Sequence, residues 1–162
     1  MKRTIKILLI LLTTVSFFSC KKFLDVQPED KVSESQLYST KNGIRSVLNG
    51  IYLDLAANQL YGDNLTLSTI EILGQRYNIS TEHNQYKTST YAYKDKPTVD
   101  RMEDIWSAAY STILNINVFL ENLDKYKGVL DQSTENVYRG EAIAMRAFLH
   151  FDLLRLYGPR YS

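Results

Sequence analysis

The chain has 162 residues and a formal net charge of +1, from 19 basic and 18 acidic residues. Because the two signs are interspersed, the sequence offers no cationic surface for nucleic acid. A single cysteine excludes an internal disulfide framework. The chain has twelve tyrosines and one tryptophan. A tyrosine ring has an apolar face and a polar tip, which suit contact with sugars or peptides. For any single tyrosine, partial burial along a helix is the commoner role.

The N-terminal residues have the pattern of a secretory leader that ends at the only cysteine. Three basic residues precede an apolar stretch over residues 7–18, and Ser19 stands before Cys20. This order is typical of a signal peptide, and the stretch is shorter than the roughly 20 residues of a membrane-spanning helix. We therefore predict a signal peptide over residues 1–19 and lipid attachment, such as palmitate, at Cys20 of a mature bacterial lipoprotein. The alternatives are an uncleaved membrane anchor and a free thiol.

The segment that follows is polar and precedes the first predicted helix. Residues 20–32 contain Pro28 and lack helical periodicity, so we expect an extended, lipidated tether. Ser33 and Ser35 then offer helix N-caps. Apolar residues at three- and four-residue steps predict helix to about Asn58, with Gly43 as a break.

Two further features belong to the first half of the chain. Gly50 lies among apolar helix residues, which predicts that a neighbouring segment approaches it closely. A second helix is predicted from Asn64 to Leu73, with a strand as the alternative because of its β-branched residues. From Gly74 to Pro97 the periodicity fades into a long polar loop with tyrosines spaced through it, and such loops are usually functional or disordered.

The second half of the chain predicts two long helices. One runs from Thr98 or Asp100 to about Tyr126, and the other from about Ser133 to Tyr157, closed by Gly158. A short turn at residue 128 predicts that they pack antiparallel. Three alanines, at positions 142, 144 and 147, predict a face for close helix approach. Glu141 and Arg146 are spaced for contacts with other segments.

Three stretches resemble one known family. They are Cys-Lys-Lys-Phe-Leu-Asp-Val-Gln-Pro at residues 20–28, Val-Leu-Asn-Gly-Ile-Tyr at residues 47–52, and Arg-Gly-Glu-Ala at residues 139–142 with Arg-Ala at 146–147 and Arg-Leu-Tyr-Gly-Pro at 155–159. In this order and spacing the chain resembles the N-terminal part of the SusD/RagB family of outer-membrane lipoproteins.

The resemblance implies an all-α fold of antiparallel, tetratricopeptide-like helix pairs, with residues 33–162 as an incomplete N-terminal SusD-like domain of a larger protein. It implies a protein without catalytic activity or cofactor that captures a glycan, or in some members a peptide, for polysaccharide uptake by a SusC-like TonB-dependent transporter. It also implies a lipid-anchored location on the surface of the outer membrane. The ligand-binding candidates, chosen by composition and position in the polar loop, are Tyr77, Asn84, Tyr86, Tyr91 and Tyr93.

Three alternatives remain open from the sequence. The chain could be a helical module that binds protein alone, an inactive truncated fragment, or a polysaccharide hydrolase. A hydrolase needs two carboxylates across the scissile bond, and the scattered acidic residues, such as Glu71 and Glu103, form no such signature. His83 and His150 have no clustered partners, so the sequence predicts no metal site.

Overall fold

The computed structural model describes residues 33–159. These residues form six helices and no strand: α1 (Glu34–Tyr38), α2 (Lys41–Leu55), α3 (Thr69–Leu73), α4 (Tyr86–Ser89), α5 (Lys96–Lys125) and α6 (Gln132–Tyr157). The predicted all-α class is confirmed. The predicted leader, Cys20 and the tether lie outside the described residues.

The break between α1 and α2 falls at Ser39 and Thr40, and the prediction of a break at Gly43 is wrong. Thr40 is extended, and its hydroxyl accepts a hydrogen bond from the backbone N–H of Gly43 at 3.0 Å. A Thr side chain in this position caps the helix, because it satisfies a backbone donor that has no partner within the first turn.

The close approach that the sequence assigned to Gly50 belongs instead to Gly43. A Cβ atom on Gly43 would lie 1.9 Å from the carbonyl oxygen of Leu37, whereas a Cβ on Gly50 would meet no atom within 4 Å. The glycine at position 43 therefore allows α1 to fold back against the start of α2. The expectation for Gly50 is wrong because that part of α2 faces open space.

The two long helices begin slightly earlier than predicted. α5 begins at Lys96 and has Pro97 in its first turn, where proline is tolerated since its missing N–H would have no helical partner. Gly128, with φ of 89°, lies in the turn. Asp131 then caps α6, accepting a hydrogen bond from the backbone N–H of Thr134 at 3.0 Å. The predicted end of α6 at residue 157 is confirmed.

Contacts at both ends show that α5 and α6 run antiparallel, as predicted. Arg139, early in α6, pairs with Asp124 near the end of α5 at 2.9 Å. Tyr157, the last residue of α6, donates its hydroxyl proton to the carbonyl oxygen of Met102 near the start of α5 at 2.8 Å. The first turns of α5 and the last turn of α6 therefore meet at one end of the pair.

The residues predicted to bridge to other segments do so. Glu141 accepts a hydrogen bond from the Tyr52 hydroxyl of α2 at 2.9 Å. Arg146 donates to the side-chain oxygen of Asn117 in α5 at 2.6 Å. α6 is thus tied by side chains to both α2 and α5.

A hydrophobic core lies among α1, α2, α5 and α6. Its innermost side chains, fully enclosed, are those of Ile44, Ile116, Phe119 and Leu149. Tyr38 of α1 stacks on the ring of Tyr126, with centroids 5.6 Å apart. Around these lie the other buried hydrophobic residues Leu48, Ile51, Leu60, Ala109, Ile113, Leu123, Leu130, Ala142, Met145 and Leu153.

Only part of the predicted alanine face of α6 is packed. Ala142 is 0 % exposed, whereas Ala144 and Ala147 are exposed on the outer face beside Phe151 and Leu154. A helix turns by about 100° per residue, so positions 144 and 147 point away from the side that carries Ala142. The three alanines therefore do not form one face.

The segments before α5 are more irregular than predicted. The helix predicted from Asn64 shrinks to α3, residues 60–67 form turns, and the strand alternative is not observed. The Asn64 side chain accepts a hydrogen bond from the Thr69 hydroxyl at 2.7 Å, which favours a turn before α3. The polar loop contains the short α4, and the buried hydroxyls of Thr88 and Thr98 lie 3.0 Å apart, fastening this loop to α5.

The two helical glycines of α2 provide a matched pair for testing this packing. Gly43→Ala should lower the free energy of unfolding by roughly 1–3 kcal/mol, because the added methyl group must displace the Leu37 backbone. Gly50→Ala should raise it by about 0.5–1 kcal/mol, since alanine is the better helix former and the site is open. Urea unfolding followed by circular dichroism measures both. Equal effects of the two substitutions would contradict the close approach of the Leu37 backbone to Gly43 and the open space at Gly50.

Candidate functional site

A groove of about 630 Å³ opens where the start of α5 meets the end of α6. Most of its lining is apolar, and its polar residues are Glu103, Ser107 and the two tyrosines. A concave apolar surface with a few polar groups is the usual form of a small-ligand site. The lining residues are Leu73, Tyr93, Val99, Met102, Glu103, Trp106, Ser107, Leu156 and Tyr157. We call this the first groove.

Trp106 is the central aromatic residue of the first groove. Its side chain is 43 % exposed although it is the only tryptophan of the chain and sits on a helix with a buried face. The Tyr157 ring contacts it edge-on, with centroids 5.0 Å apart and planes at 81°. Tyr110 also contacts the indole, with centroids 4.7 Å apart and planes at 49°. The two tyrosines thus support the indole while part of it stays accessible to a ligand.

Tyr157 fixes the α6 side of the groove. Its hydroxyl donates to the Met102 carbonyl at 2.8 Å, and burial raises the pKa of Tyr157 to about 12. Burial opposes the charged phenolate, so the hydroxyl keeps its proton and its hydrogen bond across the physiological range. The ring that contacts Trp106 is therefore held in place from α5 itself.

The polar loop contributes Tyr93 to the lining of the groove. The ring of Tyr91 meets Tyr93 edge-on at 6.3 Å, and the Tyr91 hydroxyl donates to the Leu73 carbonyl at 2.9 Å. Tyr91 has φ of 58°, a left-handed conformation that is unusual for a bulky residue and costs free energy. Its hydrogen bond and ring contact offset that cost and hold the loop beside the groove.

A buried carboxylate stabilises α6 just before the groove. Asp152 is almost fully enclosed and accepts a hydrogen bond from the Tyr61 hydroxyl at 2.7 Å. Arg155 pairs with the same carboxylate from one turn further along α6. A buried charge is stable only when it is paired and hydrogen-bonded, and these two partners meet that need. Burial and the Asp152 hydrogen bond raise the pKa of Tyr61 well above its usual range.

The structure brings together only part of the set of residues that the sequence proposed for ligand binding. Tyr93 lines the first groove. The ring of Tyr91 contacts the ring of Tyr93. Tyr86 lies in α4, with the Lys87 ammonium 5.8 Å from its ring centre. Tyr77 and Asn84 are exposed and do not line the groove. Ligand binding by these residues stays a prediction.

Trp106 is not among the ligand-binding candidates chosen from the sequence, which all come from the polar loop. A signal was present in the spacing. The buried residues Ile105 and Ala109 follow a four-residue step, and Trp106 and Tyr110 follow the same step one residue later. An aromatic pair displaced from the buried stripe of a helix is a candidate for an exposed surface.

The first groove carries little charge in its lining. Glu103 is the one carboxylate among its lining residues, whereas glycoside hydrolysis uses two. Within residues 33–159, no three His, Cys, Asp or Glu side chains come together as a metal site would require. Over the same described range, every helix lacks the combined length and apolarity of a membrane span.

Comparison with known proteins places the chain in a family. Residues 22–162 match the SusD-like family described as "Starch-binding associating with outer membrane". The chain therefore belongs to the SusD-like family. A curated relative, SusD-like protein P38 of Formosa agariphila, is 24% identical over 165 residues, covering 93% of this chain and 28% of that protein. The chain thus spans somewhat more than a quarter of the relative's length. No solved structure matches it.

The elevated pKa of Tyr157 predicts a pH-dependent loss of stability. The protonated Tyr157 hydroxyl stabilises the folded state fully below the unfolded-state pKa near 10. This stabilisation is lost as pH rises through the folded-state pKa of about 12. At pH 7, Tyr157→Phe should cost about 0.5–1.5 kcal/mol through the lost hydrogen bond to Met102. Above pH 10 the difference in the free energy of unfolding between the wild type and Tyr157→Phe should decrease.

Chemical unfolding at a series of alkaline pH values measures this effect. Tyr77→Phe, at an exposed position, is the control and should follow the wild type throughout. If the free energies of unfolding of the wild type and Tyr157→Phe differ by the same amount at every pH up to 12, the Tyr157 hydroxyl is not buried and hydrogen-bonded as described.

Proposed function

We propose that this protein captures a glycan in the first groove and passes it to a TonB-dependent, SusC-like transporter of the outer membrane. The observation that supports this most strongly is the half-exposed Trp106, which is supported by two tyrosines in a groove of ligand size. Contact between an apolar indole surface and water is unfavourable. A ligand that covers the indole in this concave site would remove that contact, which favours a role in binding.

The composition of the groove fits a sugar. Sugar rings carry an apolar face of C–H groups and a rim of hydroxyls, and an aromatic ring covers the first while polar side chains bind the second. Trp106 and Tyr93 supply aromatic surface, and Glu103 and Ser107 supply a carboxylate acceptor and a hydroxyl. Among the described residues, Glu103 is the one carboxylate that lines the groove, and we propose capture without hydrolysis.

The predicted leader and the family description both support the proposed location. The family description joins starch binding with the outer membrane, and the N-terminal pattern supports a lipid anchor at Cys20. Two or three acyl chains hold a protein on a membrane, at about 0.8 kcal/mol per buried methylene. We propose surface exposure because the transporter must receive ligand from outside the cell. A peptide is the alternative ligand.

Replacing the indole tests the glycan site. Trp106→Ala should weaken binding of starch oligosaccharides by tenfold or more, about 1.4 kcal/mol, because the central stacking surface is removed. Tyr93→Ala should weaken it less. Tyr77→Ala is the matched control, since this tyrosine is similarly exposed, at 48 %, but lies outside the groove. Isothermal titration calorimetry on chains shown by circular dichroism to be folded gives the affinities.

The outcomes separate the groove from the other candidates. Loss of binding in Tyr77→Ala with full binding in Trp106→Ala would move the site to the polar loop and contradict the proposal. No sugar binding with capture of a partner protein would favour the helical interaction module instead. For such a module, the exposed Phe151 and Leu154 on the outer face of α6 provide an apolar surface.

The anchor has a separate test. Cys20→Ser should move the protein from the membrane fraction to the soluble fraction, because the acylated thiol is absent. The helical circular dichroism signal should not change, since α1 to α6 lie within residues 34–157. Fractionation of cells expressing each form measures the shift. A Cys20→Ser protein that stays fully membrane-bound would contradict lipid attachment at this residue.

A further inference from the structure

Two residues in the described part of the chain have a left-handed backbone without being glycine. They are Gln75, with φ of 56°, and Tyr91, with φ of 58°. This conformation is unfavourable for any residue with a Cβ atom, and both side chains are exposed, so burial does not impose it. Such residues persist only where other contacts hold them, and they are concentrated at ligand sites and switch segments. Their contacts therefore indicate what these two residues do.

Each of the two residues bonds to the backbone beside the other. The side-chain amide of Gln75 donates to the carbonyl oxygen of Ser89 at 2.6 Å. The Tyr91 hydroxyl donates to the carbonyl oxygen of Leu73 at 2.9 Å. Among the described residues, no backbone-to-backbone hydrogen bond joins these two ends of the polar loop. The two side chains therefore close the base of the loop, and we call Gln75 and Tyr91 the clasp.

The clasp is connected to the first groove, although neither of its residues lines that groove. Leu73, which accepts the Tyr91 hydroxyl, is a lining residue, and so is Tyr93, whose ring contacts that of Tyr91. The buried hydroxyls of Thr88 and Thr98 lie 3.0 Å apart and fasten α4 to α5. The clasp thus joins the end of α3 to a segment that α5 already holds.

The closed clasp is only marginally stable. An exposed hydrogen bond contributes little net stability because water competes for both of its partners, and the left-handed backbone at both residues opposes closure. Segments balanced in this way open locally while the rest of the protein stays folded. The closed state is therefore sensitive to the loss of either bond and to a ligand that contacts Leu73 or Tyr93.

We propose that Gln75 and Tyr91 are positioning residues, which close together as one clasp and hold Leu73 and Tyr93 in the lining of the first groove. The part that concerns a ligand rests on the proposed function. Because only the closed state presents the complete lining, the apparent affinity falls with the fraction of molecules that are closed. A bound ligand in turn favours the closed clasp, since coupling between two equilibria is reciprocal.

Hydrogen exchange of the ligand-free protein, followed by NMR, tests whether the clasp is one unit. The reporter amides are those of residues 75 and 76 at one end and 91 and 92 at the other, each of which donates to a carbonyl within its own segment. Gln75→Glu removes the amide donor with little change of shape, and Tyr91→Phe removes the hydroxyl but keeps the ring. Either substitution should speed exchange at both ends of the loop about tenfold, because one lost bond opens the whole clasp.

Titration with maltoheptaose tests the positioning role. Calorimetry should show an affinity about three- to tenfold weaker for Gln75→Glu and Tyr91→Phe than for the wild type. In the wild type, the sugar should slow exchange at the reporter amides. Gln59→Glu and Tyr77→Phe are matched controls, since they make the same substitutions at exposed positions outside the clasp and the groove. Both controls should equal the wild type in exchange and in affinity.

The two measurements separate the possible outcomes. If each substitution changes exchange only at its own end of the loop, or at neither end, the clasp is not one unit and the proposal is overturned. If exchange rises at both ends while the affinity for maltoheptaose stays unchanged, the clasp does not position the groove lining, which also overturns the proposal. If the wild type binds no maltoheptaose, the proposed function fails separately, and the exchange measurement still supports or overturns the clasp.

Discussion

The antiparallel register of α5 against α6 is the constraint on which the site depends. The helices are joined at one end by Arg139 and Asp124 and at the other by Tyr157 and Met102. Between these ends, the enclosed Phe119 and its neighbours exclude water, and burial of such side chains provides most of the favourable free energy of folding. A shift of one residue in this register would separate the ring of Tyr157 from Trp106.

The same packing gives the exposed rings a fixed orientation before any ligand arrives. Trp106 contacts the rings of both Tyr157 and Tyr110, and aromatic pairs of this kind contribute about 0.5–1.5 kcal/mol each beyond burial. A side chain that is already immobilised loses little conformational entropy on binding. The buried Asp152, paired with Arg155 and bonded to Tyr61, restrains α6 one turn before the groove. Rigid helices thus provide most of the surface, and the polar loop adds one wall.

The sequence predicted the long helices, their antiparallel pairing and the family, because apolar periodicity and motif order depend on local pattern. It placed the α1–α2 break at Gly43 and the close approach at Gly50, since a pattern shows that a glycine is present but not which atoms lie beside it. Of the polar-loop tyrosines predicted as ligand-binding candidates, Tyr93 lines the groove. The spacing does not show that Trp106 lines a groove, because the groove also needs the end of α6, 51 residues later at Tyr157.

The most direct test of the account uses the fact that Trp106 is the only tryptophan in the chain. All tryptophan fluorescence therefore comes from the lining of the first groove. Titration with maltoheptaose should produce a saturable change in the emission spectrum and reduce quenching by acrylamide, with the same affinity as calorimetry gives. Oligosaccharide binding that is seen by calorimetry while emission and quenching stay constant would place the sugar elsewhere and contradict the central claim.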